Sequence, residues 1–580
     1  MKAQYLVQIE NPERHIVKVT LKLKKAGKDP VRVFLPSWSP GSYLMREYAR
    51  HVRWFEASQG NGEVLFSAQK EKSVWEIDFN KSDLKTPQDE FQISYEIYCK
   101  ELTVRTSHVD ASHAFLHGPS YLMGVDGQKL ENPTIEFRFP PGWSKLSTGL
   151  TDISTKREIF IYSAKNYDEL IDSPVEIGCH ETDGFEFLGK PHHLANYGDI
   201  FPHKYNMKED IKKMVATVAR HFDNDLPYDQ YLFITHFVPK LYGGLEHLNS
   251  TALQFDGRKI PNRKDYLSYL SLVAHEYFHL WNVKRIRPEA LGPFNYLSEN
   301  YTDLLWLAEG LTSFMDDLFL FRAGVGTIEE YVEIVRGNLD VYLNTPGRYF
   351  HSLEQSSFNA WVKLYRPDEN SRNSSVSYYL KGGLVFLVLH SLLLEKGSSV
   401  DDLLKMLWKD YKNRPEKGVN REQVYAMVKE LGGEDVLETF SNMVESTLDI
   451  DFETAFNKMG CQFKWVENDL PWLGADWEFN GERVFLRTIH MDAPAYRAGL
   501  NAGDELLFIN GMRIERVDVD RLSTMLQIDT PYEVIASRLG KLVRVELTLS
   551  KLPRMLKEIV VVNREVAEKA FHFPSSTKLK

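Results

Sequence analysis

The chain has 580 residues and a mass of 67.2 kDa, which at about 150 residues per domain predicts three or four domains. Hydrophobic residues make up 43% and charged residues 26%, a globular balance that excludes a mainly disordered or fibrous chain. A net charge of −11 argues against general nucleic-acid binding, whose affinity comes from a basic face.

The opening residues, MKAQYLVQIENPERH, carry no apolar stretch after the lysine, so no signal peptide is expected. The expected location is cytoplasmic. Three dispersed cysteines (Cys99, Cys179 and Cys461) fit a reducing compartment and are too few for a disulfide scaffold or a thiolate cage. Up to about residue 170 the texture is β. Residues 5–10, 15–22, 31–35, 91–98 and 134–139 are short and several alternate apolar with polar. Turn clusters such as LPSWSPGSY at 35–43 separate them. An antiparallel β domain over 1–170 is predicted.

A helix is predicted at 207–222 and a strand at 231–237. Helices follow at 264–284, 302–322, 328–344, 377–395, 400–411 and 421–431, with Gly and Pro at the breaks. The longest apolar run, 384–394, contains His390 and is shorter than the roughly 20 residues a bilayer needs, so it reads as a buried helix. From 466 to 552, short strands surround AGLNAGDELLFINGMRI. The polar remainder to 580 is expected to be loosely held.

The chemistry concentrates in VAHEYFHLWN. His275 and His279 stand four apart, so on a helix they share a face and can aim at one Zn²⁺. Glu276 sits one step round, within reach of a water on that metal. Three protein ligands and a water make an open, catalytic zinc site. Downstream, LLWLAEGLTSF sets Glu309 beside Trp306, Leu307, Ala308 and Leu311. A carboxylate next to an apolar face is costly unless bound, which makes Glu309 the candidate third ligand.

HEYFHLWNVKRIRP and LWLAEGLTSF resemble the glycyl aminopeptidase family of zinc metallopeptidases, and more distantly the alanyl and leukotriene-hydrolase type aminopeptidases. YGGLEHLNST (242–251), YYLKGG (378–383) and LPSWSPGSYLMREYARHV (35–52) are similar to further signatures of the family, in the same order. The resemblance implies that His275, His279 and Glu309 bind Zn²⁺, that Glu276 shuttles the water's proton, and that Tyr379 donates to the developing oxyanion. It implies a thermolysin-like peptidase domain over 171–465, a β part followed by a helical part. It also implies an aminopeptidase acting on peptides with a free N-terminus, with small first residues such as Gly or Ala preferred.

In GGLEH, Gly243 and Gly244 let a backbone approach a substrate closely. Residues 245–250 are a candidate edge strand for pairing with the peptide, and Glu246 is placed to bind its α-amine. The stretch 466–552 resembles a PDZ domain of bacterial proteases, with Leu473-Gly474 at the carboxylate-binding loop. This implies a C-terminal peptide ligand, or a domain that only packs on the catalytic part. The expectation is thus a multidomain α+β protein: antiparallel β domain, thermolysin-like catalytic domain, PDZ domain and a tail over 553–580, with no membrane span. A zinc endopeptidase of the same fold, indifferent to a blocked amine, is one alternative. A non-catalytic, PDZ-bearing peptide-binding protein is the other, and it has no need of Glu276. Lys284, Arg285 and Arg287 either serve the site, by contacting substrate or bracing it, or complement the dipole of a helix C-terminus. His236 and His247 read as structural polar residues.

Overall fold

The computed structural model describes residues 1–24, 29–85, 88–156 and 158–572. They divide into two compact units. The first comprises 1–301, 323–325 and 407–419; the second comprises 302–322, 326–406 and 420–580.

The first unit opens with an eleven-stranded sheet. Its strands follow the period of two that a half-buried sheet requires. Val17, Val19, Leu21 and Leu23 of Ile16–Lys24 are buried, as are Phe91, Ile93, Tyr95 and Ile97 of Glu90–Tyr98. The antiparallel register sets Leu21 against Ile93 and Val19 against Tyr95, so both sets enter one core. Ala3–Gln8 runs parallel to Thr134–Arg138, which a direct turn cannot achieve. A four-stranded sheet pairs His113–Leu116 with Val175–Gly178, so the β region continues past residue 170.

A five-stranded sheet follows, in the order Glu181–Phe187, Lys190–Gly198, Tyr231–Phe237, Ser250–Phe255, Gly243–Glu246. Its centre is parallel, and Tyr231–Phe237 is buried at every position, as a strand covered on both faces must be. The edge strand is Gly243–Glu246, not 245–250. Residues after Glu246 turn back because the His247 amide donates to Ser250 O (3.0 Å) and the Leu248 amide to Asp172 Oδ2 (2.8 Å).

The helix predicted at 264–284 runs over Arg263–Phe278. Asn262 caps it, Oδ1 accepting from the Asp265 amide at 3.2 Å. It stops short as the amides leave the four-residue pattern: Leu280 and Trp281 bond three residues back, to Tyr277 O and Phe278 O, and Lys284 and Ile286 five back, to His279 O and Trp281 O.

In the second unit the predicted helices appear as Ile328–Leu343, Tyr378–Glu395 and Arg421–Gly432. A capping box of Thr327 and Glu330 starts the first of these. The apolar stretch around His390 is longer than its run of 384–394 suggests. The helix has 18 residues, apolar enough by length and composition to cross a bilayer, yet 67% of that window is buried inside the protein. Leu353–Phe358, Glu434–Glu445 and Phe452–Lys458 are further helices. The C-terminal sheet is antiparallel, in the order Ala475–Asn480, Arg483–Ile489, Glu505–Ile509, Pro531–Arg538, Lys541–Thr548. Val484, Leu486, Leu506, Val534 and Leu547 fill its core.

The expected loose tail is a correction. Met555–Val561 pairs with Cys461–Val466, and Arg564–Phe571 is a helix. Arg322 holds it: the guanidinium pairs with Asp401 (2.6 and 3.0 Å) and Nε donates to Phe571 O (2.8 Å). Residues 573–580 of that tail lie outside the described residues.

Candidate active site

In the first unit the helix Arg263–Phe278 presents His275, with His279 at its C-cap. The two rings lie edge to face, centroids 4.6 Å apart. His279 Nδ1–H donates to Asn282 O at 2.7 Å. That bond selects the tautomer whose Nε2 bears the lone pair, and a carbonyl behind the ring is the usual support of a metal-binding imidazole. This donor pair fits a borderline-soft divalent ion such as zinc.

The edge strand meets this helix at Glu276. A Cβ on Gly244 would lie 2.1 Å from Glu276 Oε1 and 2.4 Å from Cδ. Only a glycine lets the strand pass here. Two residues on, Glu246 is 4% exposed, and a carboxylate oxygen each from Glu246 and Glu276 lie within 4.8 Å of each other and of a ring nitrogen of His279. Two buried carboxylates and an imidazole so close together form an anionic pocket suited to a cation.

A further wall comes from the β domain. Gly41, at φ 86°, abuts Glu246: a Cβ there would lie 2.5 and 2.6 Å from its two oxygens. The loop carrying Gly41 is anchored by Trp38 Nε1–H to Asn295 O (2.7 Å) and by the Ser37 amide to Tyr296 O (2.8 Å). Arg105 Nη2 donates to Gly244 O at 3.0 Å, which holds the edge strand from another side.

Asp172 ties the pieces together. It accepts from Lys284 Nζ (2.8 Å), His247 Nδ1 (3.1 Å) and the Leu248 amide (2.8 Å). Burial opposes its charge, but Lys284 and then His247 outweigh that and hold the carboxyl at about 2. Arg285 donates to Leu248 O, Leu280 O and Pro227 O, and Arg287 to Pro288 O. Lys284 and Arg285 therefore brace the turn after Glu246 against the segment after His279. His236 is spent elsewhere: its Nε2–H and the Nδ1–H of His113 both donate to Glu176 (2.9 and 2.8 Å).

Glu309 and Tyr379 belong to the second unit. Glu309, 1% exposed, lies in a π-helical turn, Trp306–Gly310, which leads into the helix Leu311–Arg322. Such turns interrupt the helical repeat and recur at functional sites. Ser357 Oγ accepts from the Trp306 amide (3.1 Å) and Thr312 Oγ1 donates to Ala308 O (2.7 Å). Gly310 lies against Gly382 of Tyr378–Glu395; a Cβ on either would come within 2.7 Å of the other's Cα. These glycines let the turn bearing Glu309 approach the helix bearing Tyr379. Tyr378 is fully buried, whereas Tyr379 is half-buried and its hydroxyl lies 3.4 Å from that of Tyr365. Burial first, and then Glu309, push the Tyr379 phenol well above its ordinary value, so it remains a hydrogen-bond donor.

Gly41, Arg105 and Asp172 were not legible as site residues. The Pro-flanked cluster at 35–43 was the only local signal for the first of them.

Two stretches match family descriptions: residues 4–179 match the Peptidase M61 N-terminal domain and residues 268–385 match M61 glycyl aminopeptidase. A solved structure of an aminopeptidase N family protein from Idiomarina loihiensis superimposes with a TM-score of 0.90 at 26% identity, over 98% of this chain and 100% of that one. Aminopeptidase N of Haemophilus influenzae is 21% identical over 386 residues, 60% of this chain; the match spans 40% of that relative's length.

Proposed function

We propose that this metallopeptidase, which carries two M61 domains, is a zinc-dependent aminopeptidase that removes small N-terminal residues such as Gly or Ala. The observation that carries the reading is Glu246, a buried carboxylate at the end of an edge strand, beside Glu276 and His279. An endopeptidase has no use for an anion there. The tight fit of Gly41 over Glu246 supports a small first residue.

His275, His279 and Glu309 would hold the zinc, which supplies a Lewis acid for the scissile carbonyl and acidifies the attacking water. Glu276 accepts that water's proton and delivers it to the leaving amine. Tyr379 donates to the oxygen on which negative charge develops. Glu246 pairs with the α-ammonium, and the backbone of Gly243 and Gly244 runs beside the substrate chain as an added strand would. The C-terminal sheet, whose edge strand Ala475–Asn480 follows Leu473-Gly474, supports a PDZ-type domain that takes a C-terminal peptide. A reducing, cytoplasmic setting is part of the proposal, on the sparse and dispersed cysteines of the sequence.

The test compares free and N-acetylated Ala-peptides with wild-type protein and Glu246→Ala. A charge-assisted bond shielded from water is worth about 1.5–3 kcal/mol, so acetylation and the substitution should each lower kcat/KM about 10–150-fold. Equal cleavage of free and acetylated peptides would show an endopeptidase and remove the role given to Glu246.

A further inference from the structure

We propose that His108, Asp110 and His113 form a second metal site, for a divalent transition-metal ion of the Zn²⁺ class, on a β-hairpin of the first unit. The hairpin pairs His108–Val109 with His113–Leu116, and the Asp110 amide closes its turn by donating to His113 O at 3.0 Å. A ring nitrogen of each histidine and a carboxylate oxygen of Asp110 lie within 4.8 Å of one another. None of the three belongs to the helix or the edge strand of the candidate active site.

Each histidine is held through one nitrogen only. His108 Nδ1 lies 2.6 Å from Lys100 O and His113 Nδ1 lies 2.8 Å from Glu176 Oε1. A carbonyl or an ionised carboxylate only accepts, so in both rings Nδ1 carries the hydrogen and Nε2 the lone pair. A carbonyl behind one imidazole and a carboxylate behind the other are the supports that metal-binding histidines use. Asp110 divides its oxygens in the same way. Oδ1 accepts from the Ser112 amide (2.7 Å) and hydroxyl and from the His113 amide (3.2 Å), whereas Oδ2 faces His108 Nε2 at 3.2 Å. Tyr197 fixes the His113 ring by stacking on it, centroids 3.5 Å apart, and its hydroxyl lies 2.8 Å from Ser112 Oγ.

A lone pair turned toward an anionic oxygen at 3.2 Å calls for a cation between them. A proton on Nε2 would make a simple His108–Asp110 ion pair, but that pair leaves the convergence of His113 without a role. A metal ion uses all three donors. Donors about 2.0–2.1 Å from a tetrahedral ion stand about 3.3 Å apart, close to the observed separation. Two imidazoles and one carboxylate select an ion of the zinc class over magnesium or calcium, which take oxygen donors. The Asp110 side chain is 37% exposed and that of His108 12%, so an ion can enter from solvent, with its fourth position open to water. The neighbouring group of His113, Glu176 and His236 is not the ion's seat, because there both imidazole N–H groups already donate to the carboxylate.

The test uses the full-length protein, stripped with chelator and dialysed against Zn²⁺, with bound metal counted by elemental analysis. Wild type should hold two ions per chain. His275→Ala/His279→Ala removes the proposed catalytic ion and should keep the other. His108→Ala, at a half-buried position on the hairpin, should lose the hairpin ion and keep the catalytic one. Asp110→Asn retains an oxygen for the turn and should weaken the hairpin ion at least about 10–100-fold, the loss that removing a mere supporting partner produces. His108→Ala protein with the metal content and affinity of wild type would overturn the proposal and leave an ion pair only. A folded His275→Ala/His279→Ala protein that holds no ion would overturn it equally; should that variant not fold, the His108→Ala arm decides alone. One ion in wild type, lost in His108→Ala and kept in the double variant, would uphold the hairpin site and refute the catalytic zinc, so the two readings fail separately.

Discussion

Gly244→Ala tests how the edge strand and the helix bearing His275 and Glu276 fit together. The added Cβ would lie 2.1 Å from Glu276 Oε1, 2.4 Å from Cδ and 2.6 Å from Cγ, where ordinary contact begins at 3.4 Å. The Glu276 carboxylate must therefore retreat by more than 1 Å, and at 5% exposure it has little free space to enter. Overpacking of this kind costs about 1–3 kcal/mol, which a protein of this size survives folded. The larger effect is on turnover. Misplacing a catalytic group by about 1 Å costs about 10²-fold, so kcat on an alanyl-anilide should fall about that far. Glu276→Gln sets the scale, since losing a general base costs about 10²–10⁴-fold. Metal content should stay at wild-type level in both variants, because neither position is a proposed ligand. The assay is steady-state kinetics with metal analysis and a melting curve on the same preparation. A folded, metal-loaded Gly244→Ala protein with wild-type kcat would refute the reasoning: either the strand does not hold Glu276 in place or Glu276 is not the base.

Tyr379→Phe should lower kcat about 10²–10³-fold with zinc content unchanged, since one oxyanion donor is lost and no ligand. Its raised phenol also predicts no alkaline loss of rate from this group up to pH 10, a point checked by the wild-type pH profile. Asp172 has a folded value near 2, below the ordinary 3.8. Its stabilisation is therefore complete above about pH 4 and is lost as pH falls toward 2, amounting to about 2 kcal/mol. Asp172→Asn should lower stability at neutral pH by that order and flatten the acid limb of a urea-unfolding series between those values. An acid limb identical to wild type would count against the assignment. Arg322→Ala removes the cation paired with the buried Asp401, a loss of about 3–5 kcal/mol, and should release the Arg564–Phe571 helix to limited proteolysis.

What the sequence determined is what depends on near neighbours. The separation of His275 and His279 by four residues places both on one helical face whatever surrounds them, and Glu276 follows from the same geometry. The alternation in residues 91–98 likewise exposes one face of a strand to a core and leaves the other polar. The helix ends depended on more. Arg263–Phe278 stops at Phe278 as the following amides shift to bonds three and five residues back, and Arg285 binds carbonyls at 227 and 248, the latter contact closing over 37 positions of sequence. The tail departs from its expected looseness for the same reason: its polar composition is local, whereas the Arg322 contact that orders it spans 249 positions. The site divides along this line too. Metal-binding residue types and the glutamate of GGLEH stand in short motifs, but Asp172 reaches Lys284 across 112 positions, and Gly41 meets Glu246 only when the β domain is folded against the catalytic sheet. Such contacts leave no periodic trace, because the residues that need one another are brought together by the chain's path and not by its repeat. Even Gly244, visible as a glycine in the sequence, gained its reason only from the structure: the space a side chain would fill already belongs to Glu276.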